Sequence, residues 1–418
     1  MVDVTDNHFD LIIIGGGLAG ASLACALKNS SLNIAVIEAF ELNTDSQPSY
    51  DDRSIALSYG SRCIFDSMGL WSSLAPYAEA INTIHISDRG HFGVTRLTNE
   101  QENVPALGYV LENRNIGQQL YAVLSAAQNI HLFCPAELAS LQQDDKLVTV
   151  KISVDGKHHD LSAALLVAAD GNNSQVMKLL NIGSSRKEYG QSALISNVTP
   201  GKKHNNVAYE RFTDTGPLAF LPMSKNRCSV VWTLSPEQAE ALNALDEKDF
   251  LQQLQQRFGF RLGQIKKVGQ RHIYPLFLQS ATQMVSGRVA IIGNAAHSVH
   301  PVAGQGFNLA LRDVALLSEL IVDSYQTVGD VGLQSMLQRY VSLREADIKR
   351  VYRFTDVLVK TFSNSISPIA HLRSLALLLV DVLPEIKHQL ARQSMGLSVI
   401  SNKGAAAYLS RLNRDLSS

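Results

Sequence analysis

The chain has 418 residues, 45% of them hydrophobic and 18% charged, with a formal net charge of −1. Length alone points to two or three domains, and the composition to a globular protein with a sizeable core rather than a disordered chain. The near-zero net charge argues against a broad electrostatic affinity for nucleic acid.

Phe9–Ile14 is a short apolar run that reads as a buried strand, followed by Gly17–Lys28 as a helix with small residues on its near face and Asn33–Glu38 as a second strand. Strand, glycine turn, helix and strand open a dinucleotide-binding βαβ unit. Leu42–Asp52 is polar with one proline and reads as a loop. Ser54–Ser67 is expected to be helical, and Asn113–Gln128 more clearly so, with Ile116, Leu120 and Leu124 at helical spacing. Leu147–Val154 alternates like an exposed strand, and Leu165–Ala169 is a short buried strand ending in Asp170-Gly171. Strand-like runs follow at Ser192–Val198, Leu218–Leu221 and Cys228–Trp232, divided by turn signals such as Thr215-Gly216-Pro217. Pro236–Phe258 reads as one helix and Arg288–Ile292 as another buried strand, with a glycine-rich turn and a helix from about Phe307. From Gly332 the pattern is almost entirely helical. Nucleotide-type signals thus recur near residues 15, 170 and 293 with strand-rich sequence between them. One α/β domain assembled from separated segments, with a strand-rich insertion, accounts for this order.

The first motif is Gly15-Gly16-Gly17-Leu18-Ala19-Gly20. Gly15 permits the tight turn, Gly17 lets the backbone approach a pyrophosphate, and Gly20 lets the helix pack on the strand, while the helix N-terminus offers N–H donors to phosphate. Glu38 ends the second strand, where a carboxylate accepts hydrogen bonds from an adenosine ribose. The second motif is Val167–Ser174. In isolation it reads first as a strand-to-helix turn with Asp170 as N-cap. The third runs from Arg288 to His297 and on through Pro301-Val302-Ala303-Gly304-Gln305-Gly306-Phe307-Asn308. Its glycines let backbone amides approach a flat or anionic group at another helix N-terminus.

These three motifs, in this order, resemble those of the class A FAD-dependent aromatic monooxygenases, which have the para-hydroxybenzoate hydroxylase fold. The resemblance runs from about Phe9 to beyond Arg350. His300–Asn308 with Asp313 is similar to the signature of the ubiquinone-biosynthesis hydroxylases. Asp52–Leu57, Ser87–His91 and Glu210–Thr213 match those acting on polyprenylated methoxyphenols. The resemblance implies a Rossmann-like FAD-binding domain (1–75, 100–182 and 271–340), an inserted mixed β-sheet substrate domain (76–99 and 183–270) and a C-terminal helical region (341–418). It implies that Gly15, Gly17, Leu18, Ala19, Gly20 and Glu38 hold the ADP half of FAD and that Arg53 lies near the flavin and its phosphates. Asp170 and Gly171 would be shared between FAD and NAD(P)H, Gly293 and Asn294 would meet the ribityl chain, and Pro301 with Gly304, Gln305, Gly306, Phe307 and Asn308 would line the isoalloxazine ring. The implied reaction uses NAD(P)H and O2 to hydroxylate a prenylated phenol through a flavin C4a-hydroperoxide. No side chain is assigned as general base, because flavin and substrate carry the reactivity. The alternatives are a sibling hydroxylase acting at another ring position and a non-catalytic prenyl-binding protein on the same fold. Departures from the family are Asn294 for an aspartate, Met177 for an arginine and Ala310 for a glycine.

Cys25, Cys63, Cys134 and Cys228 lie far apart without a CxxC pair, so no disulfide framework or zinc site is expected. His297 and His300 are three apart, with Pro301 directly after His300 and no acidic or cysteine neighbour in sequence, so no metal is expected there. Trp71 and Trp232 are expected in the core, and Tyr340 to Arg350 is expected to form a solvated helix face with i,i+4 pairs. Met1–His8 lacks the basic start of a secretory signal. Ser374–Val380 falls far short of the roughly 20 residues that cross a bilayer. A cytoplasmic protein is expected. Between Arg344 and Arg392 a net positive charge and the helix face Phe354, Val357, Leu358, Phe362 predict core packing or oligomerisation first. Peripheral contact with the cytoplasmic face of the membrane, or with a ubiquinone-biosynthesis enzyme complex, is the second reading.

Overall fold

The computed structural model describes residues 7–41, 53–90, 93–299, 304–362 and 383–397; side chains are not described at 354 and 357–362. The expected helix face at Phe354 to Phe362 and the run Ser374–Val380 therefore lie outside the described residues or side chains.

The apolar run at the start of the chain forms strand His8–Ile14, which is central in an eight-stranded sheet. It pairs in parallel with Lys157–Ala168 on one side and Ile34–Ile37 on the other. A parallel strand covered on both faces needs a continuous apolar sequence, which is why this segment does not alternate. Val289–Ile291 adds beyond Lys157–Ala168, also in parallel. The registers place Ile14 beside Ala168 and Ala168 beside Ile291. The three motifs, remote in sequence, therefore leave neighbouring strands at the same carboxyl end of one sheet, where open α/β sheets bind ligands. Helix Leu18–Ala26 lies against helix Gln305–Val328 on this sheet, its Ala21, Leu23 and Ala24 fully buried.

A nine-stranded sheet, chiefly antiparallel, includes Ser184–Thr199, Arg227–Leu234, Gly216–Met223, Val207–Thr213 and Thr83–Asp88. Successive residues of its central strands point to opposite faces. Leu194, Leu218, Phe220, Val230 and Trp232 pack with Phe250, Leu254 and Phe258 of helix Glu247–Phe258 in a separate core. Ile195, Ala219, Leu221 and Val231, one place along, face a cavity on the opposite side. A three-stranded sheet of Ser54–Ser58, Gly108–Glu112 and Glu79–Ile81 accompanies these two.

Two expected helices are corrected. Ser54–Ser58 is a strand paired with Gly108–Glu112, and the helix begins only at Tyr59, where Ser58 Oγ accepts from the Ser61 N–H. Pro236–Phe258 is two helices, Pro236–Asn243 and Glu247–Phe258. Ser235 opens the first with a capping box and Asp246 caps the second, so a cap residue in mid-pattern marks a new start. Helix Asn113–Ala126 forms where helical spacing predicts it, and both tryptophans are buried.

Candidate active site

Between the carboxyl end of the parallel sheet and the nine-stranded sheet lies a cavity of about 1370 Å³. Pockets for one drug-sized ligand run to about 1,000 Å³, so this volume accommodates a cofactor and a substrate together. Gly15, Gly17, Leu18, Ala19, Glu38, Arg53, Asp170, Gly171, Asn294, Gly304, Gly306, Phe307 and Asn308 all line it. Gly20, Gly293 and Gln305 stand behind the wall. Pro301 lies outside the described residues.

Gly15 has φ +99, and a Cβ there would sit 2.6 Å from the Ala169 carbonyl oxygen. At Gly20 a Cβ would come 1.9 Å from the Gly15 carbonyl oxygen, so Gly20 lets the helix close onto the loop. The loop is held by Glu38, one carboxylate oxygen of which accepts from Gly16 N–H at 2.7 Å and the other from Phe40 N–H at 2.9 Å. Tyr121 Oη donates to the Gly16 carbonyl at 3.0 Å. No side chain caps helix Leu18–Ala26, and its first-turn N–H groups suit an anion.

Asp170 performs two tasks. Its Oδ2 accepts from Gln175 and Val176 N–H at 2.7 and 3.1 Å, although the formal N-cap is Ser174, which accepts from Met177 N–H. Its Oδ1 is buried with no hydrogen-bond partner among the described residues. Burial raises its pKa above the ordinary carboxylate value, against hydrogen bonds from Ser174 and backbone amides.

The third turn rests on buried charge. Gly293 N–H donates to Asp313 Oδ2 at 3.0 Å, the same oxygen lies 2.6 Å from His297 Nε2, and Arg344 Nε donates to Asp313 Oδ1 at 2.7 Å. Asp347 receives Arg344 and Arg312. Tyr340, Arg344 and Asp347 are all buried, which corrects the expected solvated face; the exposed pair on this helix is Glu345–Lys349 at 2.6 Å. Leu337, Tyr340, Arg344, Ile348 and Val351 recur at helical spacing, and their apolar members mark an inward face. The acidic partner of His297 is thus supplied by the next helix.

Burial alone would raise the Asp313 pKa, but His297 and the Arg344 guanidinium outweigh it and hold the carboxyl at about 2 against a reference of 3.8. A depressed pKa stabilises the fold above the unfolded value, and that share is lost as pH falls from near 4 towards 2; at 1.36 kcal/mol per unit it is on the order of 2 kcal/mol. Urea unfolding of wild type and Asp313→Asn should therefore differ at pH 7 and converge as pH drops through that window. A gap independent of pH would remove this role from Asp313.

Asn308 ties the flanking strand to this loop. Its Oδ1 accepts from Ser58 N–H at 2.8 Å, and its Nδ2 donates to the carbonyls of Ala56, at 2.9 Å, and Gly304. Gly304 has φ +62, and a Cβ there would lie 3.1 Å from Ala56 Cβ. Asn308→Asp would turn a carboxylate oxygen onto two carbonyls. A loss of about 1–3 kcal/mol is expected, read as a lower melting temperature and faster flavin release; unchanged values for both would show the amide is not needed.

Residues 8–355 match a family model described as an FAD binding domain. This chain belongs to the FAD-dependent aromatic monooxygenases. The monooxygenase is 36% identical over 391 residues to ubiquinone hydroxylase UbiL of Rhodospirillum rubrum, covering 94% of this chain and 90% of that protein. It is 30% identical over 406 residues to 3-demethoxyubiquinol 3-hydroxylase of Escherichia coli, covering 94% and 100%. Its fold superposes on p-nitrophenol 4-monooxygenase PnpA of Pseudomonas putida with a TM-score of 0.78 at 16% identity, covering 93% and 98%. The residues present fit FAD: uncapped N–H groups behind Gly17 suit a pyrophosphate, and the unpartnered Asp170 Oδ1 offers an acceptor to a hydroxyl or amide. NAD(P)H is the co-substrate of this family.

The three departures fall at different depths in the monooxygenase. Asn294 is exposed on the cavity wall. Met177 is buried in the main core. Ala310 lies beside Gly293, whose added Cβ would be 3.7 Å from it. Gln305 is buried against Arg312 and Arg53 stacks on Tyr274. Sequence reasoning gave no role to Tyr121, Ser58 or the wall residues Leu390 and Ser394, the last two from helix Pro384–Ser394. Only Glu210 carried a signal, as the first residue of a segment shared with the hydroxylases.

Proposed function

We propose that this monooxygenase hydroxylates the ring of a polyprenylated methoxyphenol in ubiquinone biosynthesis. The observation that carries the reading is the apolar wall facing the flavin motifs: Ile84, Ile86, Ala208, Ala219, Leu221 and Val231 from the nine-stranded sheet, continued by Leu390 of the C-terminal helix. A prenylated phenol is mostly hydrocarbon and needs an apolar path with few polar contacts for the ring. The names of the relatives support the same class of substrate. Within this reading Gly15, Gly17, Gly20 and Glu38 hold the ADP half of FAD, Asp170 and Gly171 the middle, Gly293 and Asn294 the ribityl chain, and Arg53, Pro301 and Gly304–Asn308 the ring system. The inserted substrate domain is proposed at 76–99 and 183–270.

Bound FAD supplies the redox chemistry, accepting hydride from NAD(P)H and activating O2. The protein's own part is to orient the phenol on the apolar wall and exclude water. One oxygen atom enters the ring and the other leaves as water. Incubation of the holoenzyme with 2-prenyl-6-methoxyphenol, NAD(P)H and labelled O2 should place label para to the phenol oxygen. Label at another ring carbon favours the sibling reading, which the 3-demethoxyubiquinol 3-hydroxylase relative motivates; no ring label overturns both.

We further propose peripheral membrane contact at the C-terminal helix. No helix among the described residues is long and apolar enough to cross a bilayer. Arg344 is buried and drops out of the surface charge expected for this region, but Leu383 and Ile386 are exposed beside the cavity-lining Leu390. Replacing both with aspartate should reduce co-sedimentation with anionic vesicles about tenfold, given the apolar area withdrawn. Unchanged sedimentation would locate any contact elsewhere. Association with other ubiquinone-biosynthesis enzymes belongs to the same proposal.

A further inference from the structure

Glu210 is out of character with its surroundings. It lies on strand Val207–Thr213, opposite Ala219 on one neighbouring strand and Ile86 on the other, and lines the main cavity. Its nearest companions on that face, Ala208, Phe212, Ile84, Leu221 and Val231, are apolar, with the hydroxyl of Thr233 further along the wall. Ala208 belongs to a cluster with Ala56, the residue against which Gly304 packs. Two residues along a strand span about 7 Å, which is the step from Ala208 to Glu210 on the same face.

We propose that Glu210 is a catalytic residue that accepts the proton of the substrate's phenolic hydroxyl. The phenol O–H bond breaks, the proton passes to a carboxylate oxygen, and the electron pair stays on the ring oxygen, so nothing is oxidised. The phenolate is more electron-rich than the phenol and the better acceptor of an electrophilic oxygen. The proton can return to the same oxygen as product leaves.

Two further observations suit the task. Glu210 has no hydrogen-bond or ion-pair partner among the described residues, and burial pushes its carboxyl up to about 7, close to the optimum for a general base at neutral pH. The ionisable groups around it do not compete. The strand Gly216–Met223 brings none, the strand Thr83–Asp88 carries His85 and Asp88, and Arg211 takes the next, opposite-facing position on its own strand. Across the cavity stand Glu38, Arg53, Glu137 and Asp170. Burial is the sole cause of the Glu210 shift.

This inference rests on the phenol reading above. Holoenzyme and Glu210→Gln, both loaded with FAD, are compared on 2-prenyl-6-methoxyphenol from pH 6 to pH 9. The wild-type rate should rise through about pH 7. The variant should lose that limb and fall about a hundredfold at pH 8, while its Kd for the phenol, read from perturbation of flavin absorbance, stays within about threefold. Glu210→Asp, which keeps a carboxylate, should retain the limb and guards against a variant that fails to fold. A Glu210→Gln enzyme with the wild-type limb and rate, or one altered in Kd alone, overturns the role. Wild-type enzyme that binds FAD and oxidises NAD(P)H but hydroxylates no phenol at any pH overturns the phenol reading and this inference with it.

Discussion

A Gly15→Val variant should be recovered folded and without flavin. The backbone at Gly15 has φ +99, a region closed to β-branched residues. Even with the strain absorbed, the new Cβ would press 2.6 Å from the Ala169 oxygen and 2.9 Å from Asp170 Cα. It would force apart the first two motif loops where they touch. Strain of this kind costs up to about 3 kcal/mol, on the order of a hundredfold in affinity, if the loop must be native to bind. Gly156, in the hairpin turn between strands Val148–Val154 and Lys157–Ala168, also has positive φ but nothing within 4 Å of its added Cβ. Gly156→Ala should therefore keep its flavin. Full flavin absorbance in purified Gly15→Val would mean that this loop does not hold the cofactor.

Arg344→Met is expected to be the most destabilising of the substitutions considered. Removing one member of a buried ionic set leaves its partners charged and dry, at a cost of about 3–5 kcal/mol. Asp313 is fully buried and Asp347 nearly so, and among the described residues Asp347 would keep only Arg312. Arg344→Lys should recover little, because one ammonium cannot reproduce the planar fork that reaches Asp313 and Asp347 together. Lys349→Met, on the exposed pair, should change stability by under about 1 kcal/mol. Urea midpoints for the three variants decide the matter. Equal, small losses for Arg344→Met and Lys349→Met would show that the buried set contributes no more than a surface pair. The buried set also holds Gly293 through Asp313, so Arg344→Met should release flavin more readily at temperatures where it remains folded.

The parts of the fold legible in the sequence were those whose signal is local. Phe9–Ile14 announced a two-sided buried strand because six consecutive residues are almost all apolar, and Gly15 to Gly20 followed at the spacing a phosphate loop needs. Ser54–Ser58 was not legible. Ile55 and Leu57 fit either period over so short a window, and the deciding partner, Gly108–Glu112, lies far along the chain. Charge in a helical pattern signals solvent unless its counter-charge is visible in the same stretch, and the counter-charge of Arg344, Asp313, comes from another helix. Glu210 shows a third kind of limit. On an alternating strand, a shift of one residue exchanges the two faces, and only the pairing with Ala219 and Ile86 decides that Glu210, not Arg211, meets the cavity.

The adjacency of His8–Ile14, Lys157–Ala168 and Val289–Ile291 bears on how the protein comes into being. The first of these strands leaves the ribosome long before the third, and contacts at such sequence separation are paid for in loop-closure entropy before they return any stability. An early intermediate can pair His8–Ile14 with Ile34–Ile37, but the floor beneath Gly293 does not exist until residue 291 has been made and docked. Flavin capture is then a late event in biogenesis, and nascent chains stalled before residue 289 should not retain the cofactor, whereas released full-length chains should.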